Sequence, residues 1–507
     1  MKGTVYLIGA GPGDPGLITV RGRHCIQTAD VIVYDYLASP QLLKHARADA
    51  EFIYVGKKGG DHTLPQEGIN ALLVETASAG KSVARLKGGD PFIFGRGGEE
   101  AEVLVANDIP FEIVPGVTSA IAAPAYAGIP LTHRKFTATL AFVTGHEDPT
   151  KSTSNIDWEA LTRAAGTLVF FMGVKNLPLI VEELTRHGRA PDTPVALVRW
   201  GTTSRQRTVC GTLSTIVQQV RDAGLKAPAI IVVGEVVSLR DTMRWFDQRP
   251  LFGKRIVVTR AREQASALVE RLEALGAECL EIPTIQIVPP EDWAPLDTAL
   301  AELEAYQWVV FTSVNGVKYF FQRLFEKGGD VRRLRNARIA VIGPATRDTL
   351  LEYGIRADIL PDSYRAESVV AAFHSEVMAG SRVLLPRAME ARSVLPEELA
   401  KMGARVDDVC TYRTRLAPDG ADTLRDALEK AEVDMVTFTS SSTAVNFKAL
   451  LPEDKMADLM KPVTVASIGP ITTETAQSLG FTVALTAEDY TIPGLCDAIL
   501  KYYQEKR

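Results

Sequence analysis

Short β-branched runs alternate along this chain with stretches whose apolar residues recur every three or four positions. The runs predict strands at Val5–Ile8, Val31–Tyr34, Phe52–Val55, Val83–Leu86, Thr139–Thr144, Thr167–Met172, Val195–Val198 and Ala229–Val233. Further runs follow at Ile256–Thr259, Trp308–Thr312, Ile339–Ile342 and Met435–Thr439. Between them the spacing is helical, as at Leu268, Leu272 and Leu275. Glycines at 276, 354, 403 and 480 fall where such helices need a left-handed cap. The alternation predicts an α/β protein, and in the second half parallel sheets with helices on both faces. No run of 18 apolar residues occurs, and the longest candidate, 119–131, is broken by Pro124, Gly128 and Pro130. No membrane span is expected.

The second half repeats itself. GKRIVVTRAREQASALVERLEALGAE (253–278) aligns with GSRVLLPRAMEARSVLPEELAKMGAR (380–405), placing Arg260 on Arg387, Leu268 on Leu395, Leu272 on Leu399 and Gly276 on Gly403. FTSVNGVKYF (311–320) aligns with FTSSSTAVNF (438–447), and VIGPATRDTLLEYG (341–354) with SIGPITTETAQSLG (467–480). Tyr364 and Tyr490 continue the series. Residues 253–507 therefore read as two copies of one α/β unit. Two such units facing each other leave a cleft, a common place for a ligand.

The length, 507 residues, corresponds to roughly three or four domains. A boundary is expected near 250, in DQRPLFG (247–253), and Pro115-Gly116 marks a break within the first half. A hydrophobic fraction of 46% with 23% charged residues is that of a globular protein, not a disordered one. The net charge of −6 argues against a general nucleic-acid binder but leaves room for an acidic ligand held by local Arg and Lys. Five cysteines are scattered without a CxxC, so a reducing cytosol is expected rather than a disulfide framework. The seven histidines do not cluster with cysteines at ligand spacing, so no metal is expected. The apolar stretch after Lys2 is too short for a signal-peptide core.

Four glycine-rich stretches carry candidate chemistry. In VYLIGAGPGDPGLIT, Gly11, Gly13 and Gly16 satisfy G-x-G-x-x-G after a strand, and Asp35 closes the next strand about 20 residues on, as dinucleotide binding requires. Against that, Pro12 removes an N–H from the loop and Asp14 brings negative charge to it. A purely structural turn, or an uncharged or cationic ligand, fits too. In RLKGGDPFIFGRGGEE (85–100), Gly88-Gly89 permit close approach of a ligand to the backbone and Asp90 accepts hydrogen bonds. Phe92, Ile93 and Phe94 are costly to expose in a plain loop. In VPGVTSAIAAPAYAGIPLTHR (114–134), Thr118-Ser119 either cap a helix or hold a ligand, capping being favoured by spacing. In GKKGGDH (56–62), Lys57 and Lys58 are either a solvated pair or face an acidic substrate.

GAGPGD, VIVYDYL, VGKKGGDH, RLKGGDPFIFGRGGEE, PGVTSA, GIPLTHR, TGH and TLVFFMG stand in one order over nearly all of 1–245. Together they resemble the tetrapyrrole methylase family, in its uroporphyrinogen-III C-methyltransferase branch. The resemblance implies two lobes, about 1–115 and 116–245, with S-adenosylmethionine in the cleft between them. Cofactor contacts would come from Pro12, from Gly88, Gly89, Asp90 and Ile93, from Thr118 and Ser119, and from Met172 and Gly201. The aspartate matching Asp35 is that family's proton acceptor and the lysine matching Lys57 its proton donor. A methyl group passing to a pyrrole carbon requires the ring nitrogen to lose a proton, so a nearby base helps. Lys58, Arg96 and Arg134 would pair with substrate carboxylates. The product would be precorrin-2, methylated at C2 and C7 of uroporphyrinogen III. The family is usually dimeric, so a homodimer through this half is expected.

Residues 254–507, after a linker at 246–253, resemble uroporphyrinogen-III synthase. The resemblance rests on the duplication, the FTS turns at Thr312-Ser313 and Thr439-Ser440, and the segment Gly343–Arg347. It implies two flavodoxin-like domains, about 254–286 with 414–507 and about 287–413. The reaction closes hydroxymethylbilane with loss of water, and Ser313, Thr346 and Ser440 would grip carboxylates while Tyr412 faces the cleft. Ser313 and Ser440 equally suit helix capping. The fusion is self-consistent, because the second half would make the first half's substrate. Some relatives carry an additional dehydrogenase and ferrochelatase module ahead of the methylase, which this sequence, opening at the methylase strand, is expected to lack. Two rival expectations remain: a methylase with a non-catalytic tetrapyrrole-binding second half, and a nicotinamide-dependent oxidoreductase built on the first glycine loop.

Overall fold

A computed structural model describes residues 2–56, 64–146, 155–259, 262–361, 366–374, 376, 378–389, 391, 393–417 and 420–506. Lys57, Lys58, Arg260 and Tyr364 lie outside the described residues. The chain forms two compact units, residues 1–255 with 271–278 and 503–507, and residues 256–270 with 279–502.

The first unit contains two five-stranded sheets. One has the order Glu51–Tyr54, Val31–Tyr34, Val83–Lys87, Val5–Gly9, Phe111–Val114, parallel throughout. Its two faces bury separate apolar clusters, Leu7, Val33 and Leu73 on one side and Ile8, Ile32 and Leu86 on the other. The other sheet has the order Leu140–Thr144, Thr167–Phe171, Ala229–Val233, Pro194–Arg199, Arg207–Thr212. It is mixed: only the first pair is parallel, and the remaining three are antiparallel. The expected strands all form, within one or two residues at their ends. Phe111–Val114 and Arg207–Thr212 are additional edge strands.

The second unit also holds two five-stranded sheets. One runs Glu278–Glu281, Arg255–Val258, Met435–Phe438, Thr464–Ser467, Val483–Thr486; the other runs Ile285–Val288, Arg405–Leu416, Arg382–Ala388, Trp308–Phe311, Arg338–Val341. The repeat is visible in both. Ser313 and Ser440 each begin a helix after a sheet strand, and Pro344 and Pro470 each occupy the first position of another. Glycines 276, 354, 403 and 480 all have positive φ. The helix Val314–Glu326 buries Val317, Phe320, Phe321 and Leu324, a stripe at helical spacing.

The parallel expectation needs one correction. Ile285–Val288 pairs antiparallel with Arg413–Leu416. The chain leaves the first of these sheets after Glu281 and comes back to it after Leu416, so the outgoing and returning segments run in opposite senses.

One ion-pair group in this unit is set up for acid sensitivity. Asp297 accepts Arg323 Nε and Nη2, both at 2.8 Å, and lies 2.7 Å from Lys327 Nζ. The Arg323 hydrogen bonds, with Lys327, hold its carboxyl down to about 2. A depressed carboxyl stabilises the fold above its unfolded value of about 3.9, and that contribution is lost as pH falls toward 2. Asp297→Asn is therefore expected to lower the melting temperature at neutral pH and to flatten its decline between about pH 4 and 2. Calorimetric melts across that range check this; equal acid slopes for both proteins would count against it.

Candidate active sites

The parallel sheet of the first unit brings the glycine loops together at the carboxyl ends of its strands. Gly9 leads into the first loop, whose Gly11 exchanges backbone hydrogen bonds with Gly89 (3.2 and 2.7 Å). A Cβ on Gly116 would lie 2.4 Å from the Gly89 carbonyl and 2.6 Å from Gly9 Cα, so three backbones meet with no room for a side chain. Gly89 has φ +72°, the left-handed region that glycine enters freely. Its missing Cβ would lie 3.6 Å from the Ser119 nitrogen. Thr118 caps the helix Ser119–Tyr126 through the Ala120 N–H, as its spacing favoured. A Cβ on Gly13 would stand 3.3 Å from the Gly201 carbonyl, so the second lobe reaches the first loop. Pro12, Gly88, Gly89, Asp90, Thr118, Ser119 and Gly201 thus belong to converging loops.

The two loop aspartates bind the protein itself. Asp14 accepts the Gly16 N–H and the Tyr126 hydroxyl, both at 2.8 Å, and burial with this carboxylate pushes the Tyr126 phenol up. The negative charge that argued against a dinucleotide's phosphates is thereby tied to the second lobe. Asp90 accepts Phe92 N–H (2.8 Å) with one oxygen and Gly116 N–H (2.9 Å) with the other, pinning the second loop to the third.

Beside these loops is a cavity of about 760 Å³, lined among others by Phe92, Phe94 and Arg96 from the first lobe and Thr144, His146 and Met172 from the second. The exposed Phe92-Ile93-Phe94 run is explained by this cavity, which its two phenylalanines line. Phe94, Arg96 and Met172 all have positive φ (52°, 59° and 53°), strain of the kind that concentrates at ligand sites. Arg96 is half exposed and forks onto Glu99. Arg134 is exposed and does not line this cavity.

Asp35 follows the strand Val31–Tyr34. Its Oδ1 accepts the Leu37 N–H (3.0 Å) and its Oδ2 faces Arg85 Nη2 at 3.2 Å. A Cβ on Gly88 would lie 2.5 Å from Leu37 Cβ, which places the Asp35 turn against the second glycine loop. Sequence reasoning passed over Arg85. The pattern Arg-Leu-Lys at the end of an otherwise apolar strand was the available signal.

In the second unit Ser313 caps its helix through the Gly316 N–H (2.9 Å) and also meets the Tyr412 hydroxyl at 3.0 Å. Tyr412 is buried and stacks on Tyr319 with centroids 5.9 Å apart. Ser440 makes a full capping box with Thr443. The hydroxyls on which the two readings diverged are helix caps in both repeats, and Ser313 has Tyr412 besides. Thr346 is buried in the first turn of Pro344–Glu352.

Residues 4–217 match the family model of tetrapyrrole (corrin/porphyrin) methylases, and residues 266–497 match that of uroporphyrinogen-III synthase HemD. A porphyrin biosynthesis protein HemD of Ruminiclostridium josui is 40% identical over 98% of both chains. This chain belongs to that fused family. Its first part is a tetrapyrrole methylase and its second a uroporphyrinogen-III synthase. A uroporphyrinogen-III C-methyltransferase of Bacillus subtilis (strain 168) is 43% identical over 74% of this chain and 76% of its own. An S-adenosyl-L-methionine-dependent uroporphyrinogen III methyltransferase of Methanosarcina barkeri is 57% identical over 48% of this chain, all but a fraction (94%) of its own. Membership of the methylase family sets aside the nicotinamide reading of the first glycine loop.

Proposed function

We propose that the synthase half closes hydroxymethylbilane to uroporphyrinogen III with loss of water. The methylase half then methylates that product at C2 and C7 to give precorrin-2, consuming two S-adenosylmethionine and releasing two S-adenosylhomocysteine. The observation that carries the reading is the junction of the Gly9, Gly89 and Gly116 backbones beside a 760 Å³ cavity that bears Arg96. The residues present fit the cofactor: side-chain-free loops at strand ends offer backbone groups to a ligand, and the charge of Asp14 is already taken up.

Bound S-adenosylmethionine supplies an electrophilic methyl group on sulfur. The chain's own residues do the rest. The loops at Pro12, Gly88–Asp90, Ile93, Thr118-Ser119, Met172 and Gly201 hold the cofactor and exclude water. Asp35 accepts the proton that a pyrrole nitrogen loses as the neighbouring carbon gains its methyl. Lys57 serves as proton donor, and Arg96, Arg134 and Lys58 pair with the substrate carboxylates. In the synthase half the substrate ionises readily, so control of geometry is the enzyme's main task. Ser313, Thr346 and Ser440 hold carboxylates in the cleft that Tyr412 faces. We assign no metal to either half.

The chain is proposed to work in the cytoplasm, on its scattered cysteines. Among the described residues no helix is long and apolar enough to cross a membrane. We propose a homodimer through the methylase half, on the dimeric habit of the tetrapyrrole methylase family.

One assay of the purified chain tests the main reading. Hydroxymethylbilane and S-adenosylmethionine are supplied together and the products identified by mass and absorbance. Dimethylated precorrin-2 is expected, with only the uncatalysed isomer I in the enzyme-free control. Accumulation of uroporphyrinogen I alone, while added uroporphyrinogen III is still methylated, would reduce the second half to a binding module.

A further inference from the structure

The strand Val83–Lys87 is buried along its whole length, yet it carries Arg85 and Lys87, which are 3% and 4% exposed. Being two positions apart, both project from the same face of the sheet. Glu100, 1% exposed on the helix Gly97–Ala106, lies beneath them. Its Oε1 is 2.5 Å from Lys87 Nζ and 3.5 Å from Arg85 Nε, and it also accepts Gln66 Nε2 at 3.1 Å. The far side of the Arg85 guanidinium turns to Asp35 Oδ2 and to the Leu86 carbonyl (2.9 Å). Four charges form one line: Lys87, Glu100, Arg85, Asp35. Burial and the neighbouring Arg85 push the Lys87 ammonium down from its ordinary range.

Such a line is an expensive way to hold a sheet together. Desolvating buried charges costs several kcal/mol per ion, and apolar replacements of similar volume often serve stability as well or better. Glu100 Oε2 and Arg85 Nε have no hydrogen-bond partner among the described residues, which adds to the cost. The line ends at the one member that is a quarter exposed, Asp35, at the strand ends where the glycine loops meet.

We propose that Arg85, clamped by Glu100, is a positioning residue for methyl transfer and acts through Asp35. The Leu37 N–H holds one carboxylate oxygen and Arg85 the other, so the acceptor's orientation is fixed from both sides. Glu100, 3.5 Å from Arg85 Nε, pairs with the guanidinium by charge, and Lys87 balances the second charge of Glu100 and Asp35. This rests on the assignment of Asp35 as proton acceptor. A misplacement of about 1 Å at a reacting group costs on the order of 10²-fold in rate.

The test measures methyl transfer to uroporphyrinogen III by the full chain, with S-adenosylmethionine affinity measured separately by calorimetry. Far-ultraviolet circular dichroism and the calorimetric melt of the full chain report folding. Arg85→Gln is expected to lower kcat by about 10- to 100-fold, leaving cofactor affinity and substrate KM within about twofold. Arg85→Lys should recover part of the loss. Glu100→Gln, nearly isosteric, should show the same split if Arg85→Gln folds poorly. A merely structural role predicts the opposite pattern, because this strand runs directly into Gly88–Asp90: cofactor affinity would fall with kcat unchanged. That result, or wild-type kcat in both variants, overturns the proposal. Asp35→Asn separates the two layers. If it retains full activity, the acceptor assignment itself fails. If it is inactive while the Arg85 and Glu100 variants keep their kcat, only the positioning role fails.

Discussion

Asp35→Asn is expected to lower kcat for methylation of uroporphyrinogen III by about 10²- to 10⁴-fold, the usual worth of a positioned proton acceptor. The substitution keeps the shape of the side chain. An asparagine oxygen still accepts the Leu37 N–H, so the turn that packs near Gly88 is retained. Cofactor affinity should therefore stay close to wild type. Synthase turnover, carried by the other unit, should be unchanged. Rapid-quench single turnover with methyl-labelled cofactor, followed at saturating substrate, reads the chemical step directly. A rate within threefold of wild type would remove Asp35 from the mechanism, and an equal loss of cofactor affinity would make it part of the binding site instead.

Gly116→Ala is expected to act on the other axis, weakening cofactor binding. The added methyl has nowhere to go. It would lie 2.4 Å from one backbone oxygen and 2.6 Å from another residue's Cα, and neither is the end of a flexible side chain. The three loops must separate. Overpacking of this kind typically costs about 1–3 kcal/mol in stability. On the proposal that backbone groups of those same loops hold S-adenosylmethionine, we expect its affinity to weaken by about 100-fold, the equivalent of the upper end of that cost. Titration calorimetry with the cofactor checks this, with the variant's calorimetric melt as the control for folding. An alanine variant that binds within a few-fold of wild type would show that the loops have slack and that Gly116 is there for a reason other than close approach.

The strand-and-helix alternation and the internal repeat were legible because both are local. Strands such as Val31–Tyr34 are short apolar runs, and helix ends at Gly276 and Gly403 need positive φ wherever they occur. Phe111–Val114 escaped notice because it is four residues long and bounded by Pro110 and Pro115. Arg207–Thr212 is an edge strand with exposed residues along it, so its composition looks like loop. The antiparallel pairs depend on which strands become neighbours, which no window of sequence contains. In the site, the glycines declared themselves by type. The partners of the charged groups did not. Asp14 meets Tyr126 across 112 positions, and Arg85 meets Asp35 across 50. Whether a charge faces a ligand or another part of the protein is settled only when those distant elements dock.

The out-and-back path of the synthase half bears on its biogenesis. The sheet built from Ile285–Val288 to Leu416 is contiguous in the chain, so it can be completed as soon as that stretch has left the ribosome. The other sheet cannot. Arg255–Val258 sits between Glu278–Glu281 and Met435–Phe438, and one of those neighbours is made some 180 residues after it. Until then the strand presents an open edge of the kind that recruits other chains. Nascent protein stalled or truncated before residue 435 would carry a finished methylase and one finished synthase sheet beside an unfinished one, a species for chaperones or proteases rather than a partly active enzyme.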